Sequence, residues 1–283
     1  MPPANEQSAD PRAATPRILR WKQGALGQAV DDSLAREEPL EIRVKGESVA
    51  VTMRTPGHDE ELALGFLLSE GVIAGPGDVL EVAPCQQGES ALLGNVLNVF
   101  LAPGVEIDLA RLKRNVYASS SCGLCGKASI ESVHGHFEPL AKREPLVAAQ
   151  TLLQLPAKLR SEQETFDKTG GLHAAGLFDT DGNLLTLRED VGRHNAVDKV
   201  LGRSMLDGNF PLETHVLMVS GRASFEIMQK ALAGRVPVIC VVSAPSSLAV
   251  EFAQESGQTL VGFLRGDTFN VYSHPERITG LGD

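Results

Sequence analysis

The chain has 283 residues, 42% of them hydrophobic and 22% charged, with a formal net charge of −10 at pH 7. That balance belongs to a globular protein with apolar material for one large domain or two ordinary ones. It excludes a nonspecific grip on nucleic acid, which needs a basic face, and no apolar run approaches the roughly 20 residues that a membrane helix requires.

The first thirty residues lack the charged start and apolar block of a secretory leader, so a cytoplasmic protein is expected, with no nucleic-acid or membrane partner. Four cysteines in a chain of this length do not make a disulfide scaffold. In a reducing compartment a close pair reads as metal-binding or reactive.

In chain order, residues 1–18 are rich in Pro, Ala and polar side chains and are expected to form a disordered tail. Residues 19–115 are expected to form an α+β domain. Leu40, Ile42 and Val44, then Val49, Val51 and Met53, alternate as two strands joined around Gly46. An amphipathic helix follows through Leu62, Phe66 and Leu67, with Asp59 and Glu60 in its first turn and Gly71 just past its end. Short strands are predicted at residues 79–83 and 96–101.

Residues 116–136 hold the most distinctive stretch, Ser119-Ser120-Ser121-Cys122-Gly123-Leu124-Cys125-Gly126-Lys127. It is expected to be a mobile dithiol loop, with a helix over 127–134. Two thiols at this spacing can bind a metal, cycle as a disulfide, or carry a sulfur atom. Structural zinc needs four ligands, and no second pair accompanies these two: His134 and His136 lack the usual spacing and Cys85 is solitary. A thioredoxin-like pair would follow an apolar strand, whereas here a serine run precedes it. Lys127 and a helix N-terminus would lower a thiol pKa and favour the nucleophilic thiolate. A persulfide on one thiol can then be attacked by the other, by the exchange chemistry of disulfides.

Residues 137–283 are expected to form a second domain, an α/β layered unit. Residues 146–166 read as helical, restarting at Pro156. A hairpin at 172–178 and 184–187 turns around Thr180-Asp181-Gly182. Helices at 195–205, 224–233 and 247–256 then alternate with strands at 216–219, 236–242 and 260–264, the pattern of parallel strands. Cys240, within an apolar strand, reads as a small core residue.

Ligands of such sheets bind beyond the carboxyl ends of strands. The exits here carry Ser220-Gly221-Arg222, then Ser243 within a Ser/Ala/Pro run, then Phe263-Leu264-Arg265-Gly266-Asp267. Small residues let main-chain N–H groups approach phosphate oxygens, and Arg222 and Arg265 supply charge. Gly192, Arg193 and His194, at a strand-to-helix turn, are candidates to contact a phosphate, pterin or base. His173 follows two glycines and is a candidate to line the same site. A zinc deaminase would need a Glu two residues after this His and a later Pro-Cys-x-x-Cys; Ala175 stands at that position and no such pair follows.

Four ordered blocks together resemble the FdhD family, accessory sulfurtransferases of formate dehydrogenase. They are Ser121-Cys122-Gly123-Leu124-Cys125-Gly126, Thr169-Gly170-Gly171-Leu172-His173-Ala174-Ala175, the run from Glu189 through Gly192-Arg193-His194-Asn195 to Lys199, and Ser220-Gly221-Arg222. The resemblance runs from about Glu38 to Tyr272. It implies a homodimer whose C-terminal α/β domain is cytidine-deaminase-like. It further implies that the chain takes sulfur from a cysteine desulfurase and delivers it to the bis-molybdopterin guanine dinucleotide cofactor for formate dehydrogenase. On this resemblance Cys122 is the persulfide carrier and Cys125 its partner, and Phe263 to Thr268 match the family's cofactor-binding stretch. No resident metal is expected. The alternatives are a cofactor-binding chaperone with structural cysteines and a zinc-stabilised binding module.

Overall fold

A computed structural model describes residues 10–86, 94–107, 137–141 and 146–282. The N-terminal part is built of hairpins. Ala13–Ala14 (β1) pairs with Leu34–Ala35 (β4), and between them Arg17–Lys22 (β2) and Ala25–Asp31 (β3) form an antiparallel pair. The stretch expected to be disordered up to residue 18 therefore contains strand from Ala13 onward. Low apolar content hid this, because β2 and β3 are exposed along almost their whole length and hold together by cross-strand pairing.

Glu38–Val44 (β5) and Glu47–Arg54 (β6) form the expected hairpin. Its two-residue turn, Lys45-Gly46, has φ of 53° and 80°, the paired positive values that match the twist of antiparallel strands. Leu40, Ile42 and Val44 are fully buried on one face. Asp59–Ser69 (α1) follows, its first turn holding Asp59, Glu60 and Glu61, where the helix dipole favours acids. Val79–Pro84 (β7) and Val96–Leu101 (β8) complete a four-stranded sheet in the order β6-β5-β8-β7.

The expected helix over 146–166 is a short strand, Val147–Ala148 (β9), followed by three short helices: Ala149–Leu152 (α2), Leu155–Ser161 (α3) and Glu164–Thr169 (α4). The expected helix at 127–134 lies outside the described residues.

The principal sheet has six strands in the order β11-β10-β12-β13-β14-β15: His173–Phe178 (β10), Leu184–Asp190 (β11), Val216–Val219 (β12), Val238–Val241 (β13), Thr259–Arg265 (β14) and Thr268–Ser273 (β15). Only β12-β13-β14 are mutually parallel; β10, β11 and β15 run antiparallel to their neighbours. The expectation of a parallel sheet thus holds for its centre alone. Strand β15 was not anticipated, because a two-residue turn at Gly266-Asp267 reads as the sheet's exit. Ile278–Thr279 (β16) pairs with β9.

The helices Arg193–Leu206 (α5), Phe225–Ala233 (α6) and Ser247–Ser256 (α7) connect the strands. α7 starts where sequence places it: Ser246 Oγ accepts from Ala249 N at 3.2 Å, and Gly257 closes it with φ 73°.

Strand alternation separates two cores. Ala175, Leu177, Leu217, Val219, Ile239 and Val241 join side chains of α1, α5, α6, α7 and the N-terminal sheet in one cluster. Ala174, Phe178, Val216, Met218, Val238 and Cys240 face the other way, with Leu152, Leu155 and Leu159 of α2 and α3. The central strands are buried on both faces, which is why they read as unbroken apolar runs. Cys240 is fully buried, and burial pushes its thiol above the ordinary range.

The N-terminal sheet is tied to this body through α1 against α5. A Cβ at Gly65 would lie 1.8 Å from the carbonyl oxygen of Asp198, and one at Gly202 would lie 1.9 Å from that of Glu61. Only glycine permits so close an approach of two helix backbones.

Candidate functional site along one edge of the central sheet

Because β12, β13 and β14 are parallel, their carboxyl ends share an edge, which β11 also reaches with its carboxyl end and β10 and β15 with their amino ends. Every candidate ligand residue that is described belongs to this edge. His173 opens β10 opposite Asp190; Gly192, Arg193 and His194 start α5; Ser220, Gly221 and Arg222 follow β12; Ser243 follows β13; Phe263 to Thr268 span the turn from β14 to β15. Cys122 and Cys125 lie outside the described residues.

The structure brings these residues together in two groups. The first surrounds Gly221, where an added Cβ would meet Arg193 Cδ at 3.3 Å and His173 Nδ1 at 3.6 Å. Ser220 is bonded to β10 twice: its Oγ accepts from Ala174 N and its N–H donates to Ala174 O, each at 2.9 Å. His194 Nε2 lies 3.1 Å from Ser224 Oγ and 3.9 Å from a Glu226 oxygen. Arg193 Nε is buried and has no hydrogen-bond partner among the described residues.

The second group joins β13 and β14. Phe263 N donates to Ser243 O at 3.1 Å, and the Arg265 guanidinium lies 5.8 Å from the Phe263 ring centroid. Phe263 has a φ of 52°, at an irregularity in the β14–β15 register. Phe263 to Arg265 therefore belong to the strand itself, not to a loop after it. Leu264 is fully buried in the second core, so its side chain packs and only its main chain is available to a ligand. Arg222, Arg265, Gly266, Asp267 and Thr268 are exposed.

The two groups are three strand spacings apart, from β10 to β14, or roughly 14 Å at the usual separation. A ligand touching both must be extended.

Electrostatics along the edge come from arginine. Burial and the Arg193 charge hold His173 below its ordinary pKa, and burial, with Arg193 and Lys230, brings His194 down to about 4. Both histidines are neutral at pH 7, so the positive charge is that of Arg193, Arg222 and Arg265.

Beneath the first group lies a network that sequence reasoning did not find. Asp190 Oδ1 accepts from Gly192 N at 2.8 Å and Asn195 Nδ2 at 2.9 Å, while Oδ2 accepts from Thr55 N at 3.1 Å. Buried Lys199 donates to Asp190 Oδ2 at 2.7 Å and to Thr55 O at 2.9 Å. Thr55 Oγ1 in turn accepts from Val191 N at 3.1 Å. The turn carrying Gly192 to His194 is thus shaped by a residue more than 130 positions away. A charged run at a strand-to-helix turn was the signal available; its partner at Thr55 left none.

Among the described residues no group of three or more His, Cys, Asp or Glu is placed to hold a metal, and no helix is long and apolar enough to cross a membrane.

These features define a mixed α/β protein with a six-stranded sheet, one edge of which presents arginines, small residues and neutral histidines suited to an extended anionic ligand. The chain belongs to the FdhD/NarQ family, whose profile matches residues 35–279. It is 51% identical over 266 residues to the sulfur carrier protein FdhD of Streptomyces coelicolor, covering 93% of this chain and 94% of that one. It is 54% identical over 255 residues to the protein of the same name from Mycobacterium tuberculosis, covering 88% and 92%. Its fold is similar to the crystal structure of a formate dehydrogenase accessory protein from Desulfotalea psychrophila, with a TM-score of 0.74 and 27% identity over 95% of this chain and all of that one.

Proposed function

We propose that this protein is a cytoplasmic sulfur carrier that moves persulfide sulfur from a cysteine desulfurase to the bis-molybdopterin guanine dinucleotide cofactor destined for formate dehydrogenase. One observation carries the reading: the Cys122-Gly123-Leu124-Cys125 pair occurs in a chain about half identical to proteins named sulfur carriers. The arginine-bearing edge supports the cofactor as the receiving substrate, since a dinucleotide is both extended and anionic. The reading includes a homodimer and a cytidine-deaminase-like C-terminal layer.

In the first step the Cys122 thiolate attacks the outer sulfur of the donor's persulfide. The donor's S–S bond breaks, the donor leaves as a thiolate, and Cys122 holds the new persulfide. In the second, the Cys125 thiolate attacks Cys122 Sγ and expels the carried sulfur as hydrosulfide for the cofactor. That sulfur gains two electrons, the two thiols become a disulfide, and a cellular thiol reductant resets the pair.

The test is mass spectrometry after incubation with a cysteine desulfurase and cysteine. One added sulfur on Cys122 or Cys125 is expected, and none in the Cys122→Ala, Cys125→Ala double variant. A double variant that still activates formate dehydrogenase would replace sulfur transfer with a chaperone role in which the cysteines are structural.

A further inference from the structure

β11 is the outermost strand of the central sheet, bonded on one side to β10 and, among the described residues, to no strand on the other. Along this open flank runs a groove of about 530 Å³, lined by residues 184–189 and by Arg12, Pro56, His58, Glu162 and Glu164. None of these is among the candidate ligand residues.

The direction of the main chain defines what the groove offers. Ala174 turns its N–H and C=O to Ser220, beyond β12, and by alternation Gly176 also bonds toward β12. Their cross-strand neighbours Glu189 and Leu187 therefore point their own N–H and C=O groups away from β10. Leu187 O has this direction, accepting from Arg188 Nη1 at 2.7 Å. That leaves the Leu187 N–H and the main chain of Glu189 for an added strand.

An outer strand normally carries a guard against pairing, such as a lysine, a proline or an uncommitted charge. β11 has no Lys or Pro. Each of its charges is engaged elsewhere: Arg188 with Glu61, Glu189 with Thr165 N and Phe166 N, and Asp190 with Lys199. A register shift places Leu185 between the paired residues Leu184 and Thr186 and leaves it 46% exposed.

Charge selects the occupant. Asp10 holds the Arg12 guanidinium with both oxygens, at 3.0 and 3.2 Å, and Glu61 takes both His58 and Arg188. Glu162 and Glu164 are exposed and make no ion pair among the described residues. The cations of the groove are thus neutralised, whereas two of its carboxylates are not. Leu187 and Glu189 face α3 and α4, since Leu187 packs with the second core and Glu189 caps α4. Every second side chain of an added strand falls on that side, with Glu162 and Glu164; the intervening ones fall toward Pro56 and the Arg188–Glu61 pair.

We propose that the open flank of β11 docks an extended segment of a partner protein carrying basic residues at alternate positions. The segment pairs with the main chain of Leu187 and Glu189 and sets its cations against Glu162 and Glu164. This surface rests on neither the thiol pair nor the cofactor reading.

Hydrogen exchange of the full chain, read by mass spectrometry, tests it with the six-residue probe acetyl-Lys-Val-Lys-Val-Lys-Val-amide. Saturating peptide should slow exchange within residues 184–190, and titrating that signal gives the affinity. The Glu-Val counterpart should bind at least tenfold more weakly. A Lys-Val peptide N-methylated at every residue lacks the N–H groups of a pairing strand and should leave exchange unchanged. The double variant Glu162→Gln, Glu164→Gln is isosteric at exposed positions, so it should keep the fold and weaken the Lys-Val peptide about fivefold, as expected of two exposed ion pairs. Unchanged exchange at 184–190 with the Lys-Val peptide, or equal protection by the N-methylated one, would overturn strand addition. Equal binding by the double variant would overturn the basic occupant. Protection in the free chain that rises with chain concentration would also overturn the proposal, because a second copy would then fill the groove.

Discussion

Lys199 and Asp190 form an ion pair of 2.7 Å with side chains 1% and 0% exposed. The pair anchors the turn bearing Gly192, Arg193 and His194 to Thr55 of the N-terminal part. Removing one member leaves the other charged and buried, a loss of about 3–5 kcal/mol. Lys199→Met is therefore expected to lower unfolding free energy by that amount in denaturant titration. The double variant Lys199→Met, Asp190→Leu should recover part of it, because the uncompensated charge is gone.

The crossing of α1 and α5 permits no side chain at two positions. Gly65→Ala or Gly202→Ala would put a methyl group within 2 Å of a carbonyl oxygen on the facing helix. The helices must move apart, at a cost upward of about 2 kcal/mol. Thermal unfolding of either variant should show it, whereas Gly266→Ala, at an exposed turn, should cost less.

Glu61 makes stability depend on acid. Burial alone would raise its pKa, but hydrogen bonds from Arg188, at 2.7 Å, and from His58 bring it down to about 2 from an ordinary 4.5. A carboxylate with a depressed folded pKa stabilises the fold fully above its unfolded value and loses that contribution as pH falls through the folded one. Stability should thus fall between pH 4.5 and 2, with roughly 3 kcal/mol traceable to this group. The Glu61→Gln variant should show a correspondingly flatter pH profile over that window.

Arg222, which follows β12, and Arg265, the last residue of β14, are both exposed along the edge. If each makes a charge-assisted contact to a phosphate, Arg222→Ala and Arg265→Ala will each weaken guanine nucleotide binding by about 1.5–3 kcal/mol. Calorimetry at constant salt measures it, and an unchanged affinity removes that arginine from the site.

Much of the C-terminal part was legible in the sequence. Residues 247–256 carry a serine cap and a closing glycine, and residues 216–219 and 238–241 are apolar runs too short for helices. Such signals depend on near neighbours, so they survive in one dimension. The β2–β3 pair escaped notice because exposed strands show no buried alternation, and β9 because two residues hold no period.

The cysteine pair and the Gly192-Arg193-His194-Asn195 block were legible as chemistry, since reactive thiols and phosphate-friendly turns need particular residue types at short spacing. What the sequence determined by itself is therefore the family, the thiol pair and the residues along the sheet edge. The tertiary structure alone decided that Thr55 braces the Asp190 turn, that Leu264 packs inward, and that Glu162 and Glu164 line the open flank of β11. Each of these depends on residues distant in sequence meeting across a packed interface, and no local pattern encodes which two surfaces will meet.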